Sequence, residues 1–500
     1  MEVNQARSVT ETGRRRWAAL GVGLIASFMT LLDVSIVNVA LPSIRQALHA
    51  PESALQWIVS GYALAFGLTL VPGGRLGDAR SRKTMFMTGL VVFITASAAA
   101  GLAHDVWWLV TARFLQGMAS GLINPQISGL IQQLFRGAER GKAFGSLGTT
   151  VGIATAAGPV LGGLILGVAG TEEGWRWVFY VNVPVGLLAL ALARHLFPAG
   201  ETKRCESLDP IGIVLLGCGV GSLLLPFAQA REWHSPAKWL LLPLAAALLT
   251  AFVLWERRYA RRATPLVNLS LFTKRSYALG AALILLYFAG FTAIFFTFTL
   301  YLQSGLGFSP LAAGLAITPF ALGSGVASMV GGRIVSRYGR TLVAVGLCLV
   351  LTGLLGTLLA VQLATGPDVA YAMAAPLLIG GVGSGLVVSP NATITLSEVP
   401  VAGGGSAAGM LQTGQRIGAA FGVAAVGSLF FATVASTGGD WASAFEHALL
   451  MLCVFVLAAL CLAVADLLKG RRDEHSPEHP REQRGAHSPE RPGGHPRPGE

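Results

Sequence analysis

A chain of 500 residues with 53% hydrophobic and only 12% charged residues, at a mean hydropathy of +0.62, falls outside the soluble globular class, whose members carry about 25% charged residues. The net charge of +11 would suit a nucleic-acid partner in a soluble protein, so the position of the charge has to decide. The cysteines Cys205, Cys218, Cys348, Cys453 and Cys461 show no CxxC or Cys/His ligand spacing. That argues against a disulfide framework and against a metal site, and no cofactor is expected.

Arg14, Arg15 and Arg16 precede the first apolar run, Trp17 to Pro42, and no small-residue cleavage site follows a short apolar core. An uncleaved first span behind an N-terminus of residues 1–16 is expected. The run from Trp17 to Ala40 would rise about 36 Å as a helix, enough to cross a bilayer. Similar runs recur near 55–73, 84–103, 107–133, 143–168, 177–197, 211–230, 238–255, 278–303, 310–331, 341–363, 370–396, 407–434 and 442–468. Such lengths are too great for barrel strands. The expected fold is an all-α polytopic membrane protein with about fourteen transmembrane helices.

On that map the segments sharing the side of the N-terminus hold 30 of the 36 lysines and arginines, and the opposite loops hold only Arg45, Arg176, Arg231 and Lys238. This bias predicts that both termini are cytoplasmic, and it accounts for the net charge without nucleic acid. Arginine outnumbers lysine 30 to 6, which hints at a GC-rich bacterial genome and hence at a bacterial cytoplasmic (inner) membrane.

Two stretches repeat. Gly73-Gly74-Arg75-Leu76-Gly77-Asp78 follows the second run, and Gly331-Gly332-Arg333-Ile334-Val335-Ser336 follows the tenth. Gly117, Ser120, Gly121 and Leu122 recur as Gly381, Ser384, Gly385 and Leu386, and Gly145, Gly158 and Gly163 as Gly409, Gly422 and Gly427. The expected organisation is two six-helix pseudo-repeat bundles, 17–197 and 278–468, with two inserted helices and linkers at 198–277. Internal repeats of this kind mark transporters, with the substrate site where the halves meet. The tail 469–500 is rich in Pro, Gly, His, Arg and Glu and repeats His-Ser-Pro-Glu at 475–478 and 487–490; a disordered cytoplasmic tail is expected.

Asp33 is the only charge in the first run. A carboxylate at that depth costs several kcal/mol unless neutralised, paired or hydrated, so it reads as a proton or ion relay, or else as a structural tie between helices. Arg113 lies inside the fourth run and needs an anion, water or carbonyls, unless it snorkels to the surface. A nearby guanidinium favours an ionised carboxylate and burial favours the neutral acid, so a site alternately wet and shielded is suited to binding and releasing a proton. Asp78 stands among Arg75, Arg80, Arg82 and Lys83; it reads as a conformational latch between helices, against a simpler anchoring role for the cations.

These stretches resemble the major facilitator superfamily, and more closely its fourteen-span drug:proton antiporter family, over roughly residues 17 to 468. Gly74-Arg75-Leu76-Gly77-Asp78-Ala79-Arg80-Ser81-Arg82-Lys83 looks like the superfamily's loop motif, with Ser81 at a usual glycine that the second copy keeps as Gly339. Arg113-Phe114-Leu115-Gln116-Gly117 looks like the motif whose arginine supports proton transfer. Gly158-Pro159-Val160-Leu161-Gly162-Gly163, with Gly145 upstream and Ala154 as a departure, looks like the antiporter motif. Leu32-Asp33-Val34-Ser35-Ile36-Val37-Asn38-Val39-Ala40-Leu41-Pro42, Trp175-Arg176-Trp177, Asn182-Val183-Pro184 and Pro265-Leu266-Val267-Asn268-Leu269 are also like that family.

The resemblance implies a proton-coupled exporter of amphipathic drugs or antibiotics working by alternating access. Asp33 and Arg113 would couple protons, Gly74, Asp78, Arg82, Arg333 and Arg340 would form the latch, and the glycines around Pro159 would seal the halves against leak. The i,i+4 glycines of the fifth run also make a plain helix-packing face. Candidate cavity residues are Asn38, Asn124, Gln126, Phe291, Phe295, Asn391, Gln412 and Arg416, although the ring series on the ninth run equally suits packing. Expected partners are a small-molecule substrate, protons and the lipid bilayer; no nucleic acid and a monomer are expected. An uptake or facilitative carrier on the same fold is the first alternative. No catalytic dyad, nucleotide loop or soluble domain supports an enzyme or sensor, and repeated halves with latch motifs favour a carrier over a channel.

Overall fold

The computed structural model describes residues 2–170, 173–198, 209–228, 233, 235–364 and 366–474, and all the main elements among them are helices. Those of the first half are α1 (Glu2–Leu48), α2 (Glu52–Ala79), α3 (Arg82–Gly101), α4 (Val106–Leu134), α5 (Gly137–Ala169), α6 (Gly174–Tyr180) and α7 (Asn182–Leu196). α8 (Pro210–Ala228) and α9 (Leu241–Tyr259) form a pair. The second half has α10 (Arg275–Leu300), α11 (Pro310–Tyr338), α12 (Arg340–Leu363), α13 (Asp368–Thr395), α14 (Gly404–Ser436) and α15 (Trp441–Glu474). The tail at 475–500 and Cys205 lie outside the described residues.

Each expected run falls on helix among the described residues. By length and hydropathy, twelve stretches among the described residues are apolar enough to cross a membrane; one of them, Leu311–Leu363, contains both α11 and α12. α4 falls short of that criterion, and it is the helix that carries Arg113, Gln116, Asn124, Gln126, Gln132 and Gln133.

Local chemistry sets the ends. Asp105 caps α4 by accepting the N–H groups of Trp107 (2.9 Å) and Trp108 (3.0 Å), and Ser309 caps α11 ahead of Pro310. Ser81 and Gly339 occupy equivalent turns but differ in backbone. Gly339 has φ 51°, which favours glycine. Ser81 is extended at φ −164°, and its hydroxyl accepts the Thr84 N–H, so the residue that departs from the superfamily pattern serves as an N-cap. The sixth run is not one helix. It breaks at Val181, between α6 and α7, where Pro184 lacks the N–H that would close the turn onto Tyr180.

The two halves pack alike. α1 lies on α5 as α10 lies on α14, and α2 and α3 lie on α4 as α11 and α12 lie on α13. Between the halves, α5 packs on α11 and α2 on α14; α8 rests on both α2 and α14, covering the second seam from outside.

Candidate functional site

Asp33, on α1, is completely buried, and its carboxylate is surrounded by donors. Arg113 of α4 pairs with Oδ2 through Nη1. Oδ1 accepts from Asn182 Nδ2 of α7 at 2.9 Å and from Gln116 Nε2 of α4 at 3.3 Å. Ser97 of α3 accepts from the same two amides, at 2.5 Å from Gln116 and 3.4 Å from Asn182. Arg113 also donates to the Ile58 carbonyl (3.2 Å) and to Gln116 Oε1 (3.0 Å), and its guanidinium lies 4.2 Å over the Tyr62 ring. Five helices thus converge on one ion pair. Buried charges persist when paired and fully hydrogen-bonded, and removing one partner of such a pair typically costs about 3–5 kcal/mol.

The pairing of Asp33 with Arg113 was legible from the sequence; the shell was not. Gln116 stands three residues after Arg113 on the same helix face, and Asn182 is an isolated amide in an apolar run, so a signal existed for both. Tyr62 and Ser97 gave none. Tyr62 donates to the Thr30 carbonyl at 3.1 Å or shares its proton with Ser120 Oγ at 2.7 Å, and it fixes the ring beneath Arg113.

A second cluster closes the seam at the end of the bundle that carries Arg82, Arg140 and Arg340. Asp78 Oδ1 accepts the Gly405 N–H at 3.0 Å, and Oδ2 accepts the N–H and the hydroxyl of Ser406 at 2.8 and 3.0 Å. Arg82 holds Asp78 at 2.8 Å and donates to the Val401 carbonyl at 2.6 Å. The carboxylate therefore caps α14 from the other half, at the positive end of the helix dipole. Gly74 has to be glycine for this approach, since a Cβ there would lie 2.3 Å from the Gly405 carbonyl oxygen. The other seam closes the same way: a Cβ on Gly141 would lie 2.2 Å from the Gly332 oxygen, and Arg140 donates to the Ser397 carbonyl at 3.4 Å.

The second copy of the motif does something else. Arg340 pairs with Asp466 at 2.5 Å and donates to the Ser276 carbonyl, all within its own half, beside an Arg275–Asp466 pair at 3.0 Å. Arg333 is exposed, with no hydrogen bond or ion pair to a described residue. Neither reaches across the seam, which corrects their expected part in a latch; Ser336, standing where Asp78 stands in the first copy, has no carboxylate to bridge the halves.

The glycines around Pro159 divide between two neighbours. A Cβ on Gly158 would meet Ser35 Cβ at 2.1 Å, and one on Gly162 would meet Ile36 and Val39 at 3.2 Å, so these two seat α1 immediately beside Asp33. Gly145 faces Ser328 and Gly332, Pro159 faces Gly314, and Gly163 touches Leu311, all on α11.

The expected cavity residues scatter. Gln126 is fully buried and donates to the Gly73 carbonyl (2.7 Å), and Asn391 donates to the Gly280 carbonyl (3.0 Å). Both serve as helix-packing amides. Asn124 ties α4 to α1 through Thr30 (3.3 Å) and Ser27 (3.5 Å). Phe291 packs at a tilt against Tyr287 and Phe320 and Phe295 meets Phe320 edge-on, inside the second half, where Phe291 lines a narrow apolar pocket between α10, α12 and α13. Asn38 is exposed. Gln412 donates to Ser128 across the seam at 3.4 Å, and Arg416 lies 4.2 Å over the Phe66 ring, also across it.

A family model described as Major Facilitator Superfamily matches residues 23–423 and 280–497. The chain belongs to the major facilitator superfamily. It is a multi-pass membrane transporter and not an enzyme. It is 38% identical over 425 residues to a probable actinorhodin transporter of Streptomyces coelicolor, covering 84% of this chain and 74% of that one. It is 35% identical to a puromycin resistance protein of Streptomyces alboniger (87% and 84% covered) and 34% identical to a cephamycin export protein of Amycolatopsis lactamdurans (92% and 95% covered). Among solved structures, superfamily folds superpose at low identity. The human organic anion transporter MFSD10 gives a TM-score of 0.63 at 15% identity, covering 90% of this chain and 99% of that one. The proton:xylose symporter XylE gives 0.61 at 16%, covering 89% and 95%.

Proposed function

We propose that the chain is a proton-coupled efflux transporter of the fourteen-span drug:proton antiporter family, exporting amphipathic drugs or antibiotics across a bacterial inner membrane with both termini cytoplasmic. Export is supported by relatives named as transporters, export proteins and resistance proteins. A count of fourteen is supported by the apolar stretches together with α4 and the two helices that share Leu311–Leu363. The matching packing within the two halves supports two six-helix repeats, with α8 and α9 as the inserted pair.

The observation that carries proton coupling is the Asp33 carboxylate, buried and held by Arg113, Gln116 and Asn182. The conformation with the basic end shut is the one in which an outward-opening site takes a proton and releases substrate. A proton on Asp33 removes its charge, so the three donors lose their grip and Arg113 turns to Gln116 and the Ile58 carbonyl. The neutral site then reorients, Asp78 leaves α14, the cytoplasmic end opens, and Asp33 gives up its proton as the next substrate binds. One proton driven by about 100 mV supplies about 2.3 kcal/mol and a unit of pH gradient about 1.36 more, enough for a several-hundred-fold gradient of a neutral substrate at one-to-one exchange. Inverted vesicles test this directly: an amphipathic drug should accumulate when the lumen is acid and not when the gradient is collapsed. Accumulation indifferent to the gradient would remove proton coupling.

A further inference from the structure

Four residues on one stripe of α14, Gly405, Gly409, Gln412 and Arg416, point at the first half. Gly405 meets Gly74 and Asp78, a Cβ on Gly409 would lie 2.5 Å from the Leu70 carbonyl, and Gln412 reaches Ser128. Arg416 is the outermost of them and lies over Phe66. The neighbouring stripe is covered by α8, with Ile417 and Ala420 packed against it and Phe421 5.7 Å from Phe227. Arg416 is therefore turned into the space between the halves and away from lipid.

Its guanidinium has no hydrogen bond or ion pair to any described residue. Arg416 is partly buried, and the contact of its guanidinium is the Phe66 ring. Asp33 cannot serve it, since that carboxylate is already occupied by Arg113, Gln116 and Asn182. α10 and the first part of α11, through Gly332, contain no Asp or Glu. The remaining contact, an aromatic face, offsets little of what a permanent cation loses on leaving water. The first-half position equivalent to Arg416 is Gly152, so the cation belongs to one half only. Arginine presents a planar fork of donors that matches a carboxylate or an ionised phenol.

We infer that Arg416 is an anion-recognising residue of the substrate site, and that the transported molecules include flat, amphipathic organic anions carrying a carboxylate or an acidic phenol. This rests on the efflux reading above for the word substrate, while the recognition itself is measurable without transport. Beyond Phe66 the ring of Tyr62 follows at 6.1 Å, and then Arg113, so the anion site and Asp33 are joined by a short line of packed side chains and use different groups.

The test is equilibrium binding to the full chain in lipid nanodiscs without any gradient, with 2-naphthoate, its neutral amide 2-naphthamide and the cation 2-naphthylmethylammonium as probes. The wild type should bind the naphthoate at least tenfold more tightly than the amide, Arg416→Lys should keep part of that preference, and Arg416→Gln should abolish it. Failure of the wild type to bind naphthoate, an equal affinity for the amide, or a preference that survives Arg416→Gln would each overturn the inference. If Arg416→Gln does not fold, the wild-type ratio and the lysine variant still decide. Proton-driven transport is scored separately in wild-type vesicles: its absence with an intact naphthoate preference rejects the efflux reading and leaves the anion site standing.

Discussion

Asp78 and Ser406 are joined twice across the seam between the halves, through the Ser406 N–H at 2.8 Å and its hydroxyl at 3.0 Å. An acid in a cluster of cations would ordinarily pair with them alone. Here a single carboxylate also caps a helix of the opposite half, so the charge that neutralises Arg82 also bridges the two halves at one end of the bundle.

Asp78→Asn should therefore shift the balance between states without unfolding the protein. Hydrogen bonds to a charged group are worth about 1.5–3 kcal/mol each, so losing part of this set should open the seam by a factor of ten or more. A cysteine at Gln412 should then react faster with an impermeant maleimide from the cytoplasmic side, with transport reduced and thermal unfolding little changed. Unchanged labelling and full activity would return the loop to simple membrane anchoring.

Gly74→Ala should block closure outright, because its Cβ would lie 2.3 Å from a backbone oxygen that cannot move independently. Gly167→Ala, which meets nothing within 4 Å, is the matched control. Insertion and abundance should be alike for the two, with transport lost only in the first. Equal transport would show that the helices need not approach this closely.

Gly158→Ala should act on coupling, since the added methyl would collide with Ser35 Cβ at 2.1 Å and displace α1 two residues from Asp33. Proton-driven drug export should fall while downhill drug exchange persists. Ser35→Gly in the same chain should restore part of it by removing the colliding carbon. If the single variant couples normally, these glycines only pack helices.

Much of the site was readable because charge in a membrane is expensive: Asp33 and Arg113 stand out of apolar runs and find each other. Neutral polar residues carry no such signal. Gln126 and Asn391 look like cavity residues in the sequence, yet each spends its amide on a glycine carbonyl of a facing helix. Across the seam Asp78 is met by two backbone N–H groups, which any sequence supplies, and by one serine hydroxyl, so this contact was visible on one side only. Asp209 and Glu256 border basic stretches, where an acid gives no signal. Both are buried where α8 and α9 meet, with Trp255 Nε1 donating to Asp209 and Val267 N–H to Glu256. The fold was legible as helices and their order. Pairing required the glycine contacts, whose partners lie hundreds of residues apart.

Topology follows from the charge bias. Reporter fusions after Arg82, Arg262 and Arg472 should report cytoplasm, and fusions near Glu173 and Pro236 the exterior. A cytoplasmic signal at Pro236 would mean that α8 and α9 do not cross as a pair.

The coupling role of Asp33 is tested most directly by proton release. Asp33→Asn keeps the side-chain shape and leaves Arg113 its bonds to the Ile58 carbonyl and Gln116, so a folded fraction should be recoverable, though less stable than wild type. Addition of substrate to the purified wild type in weakly buffered detergent should release protons to a pH indicator. The folded Asn variant should release none and should export nothing uphill in vesicles. A folded Asp33→Asn protein that still releases protons on binding substrate, or still exports against a gradient in a proton-dependent way, would contradict the account.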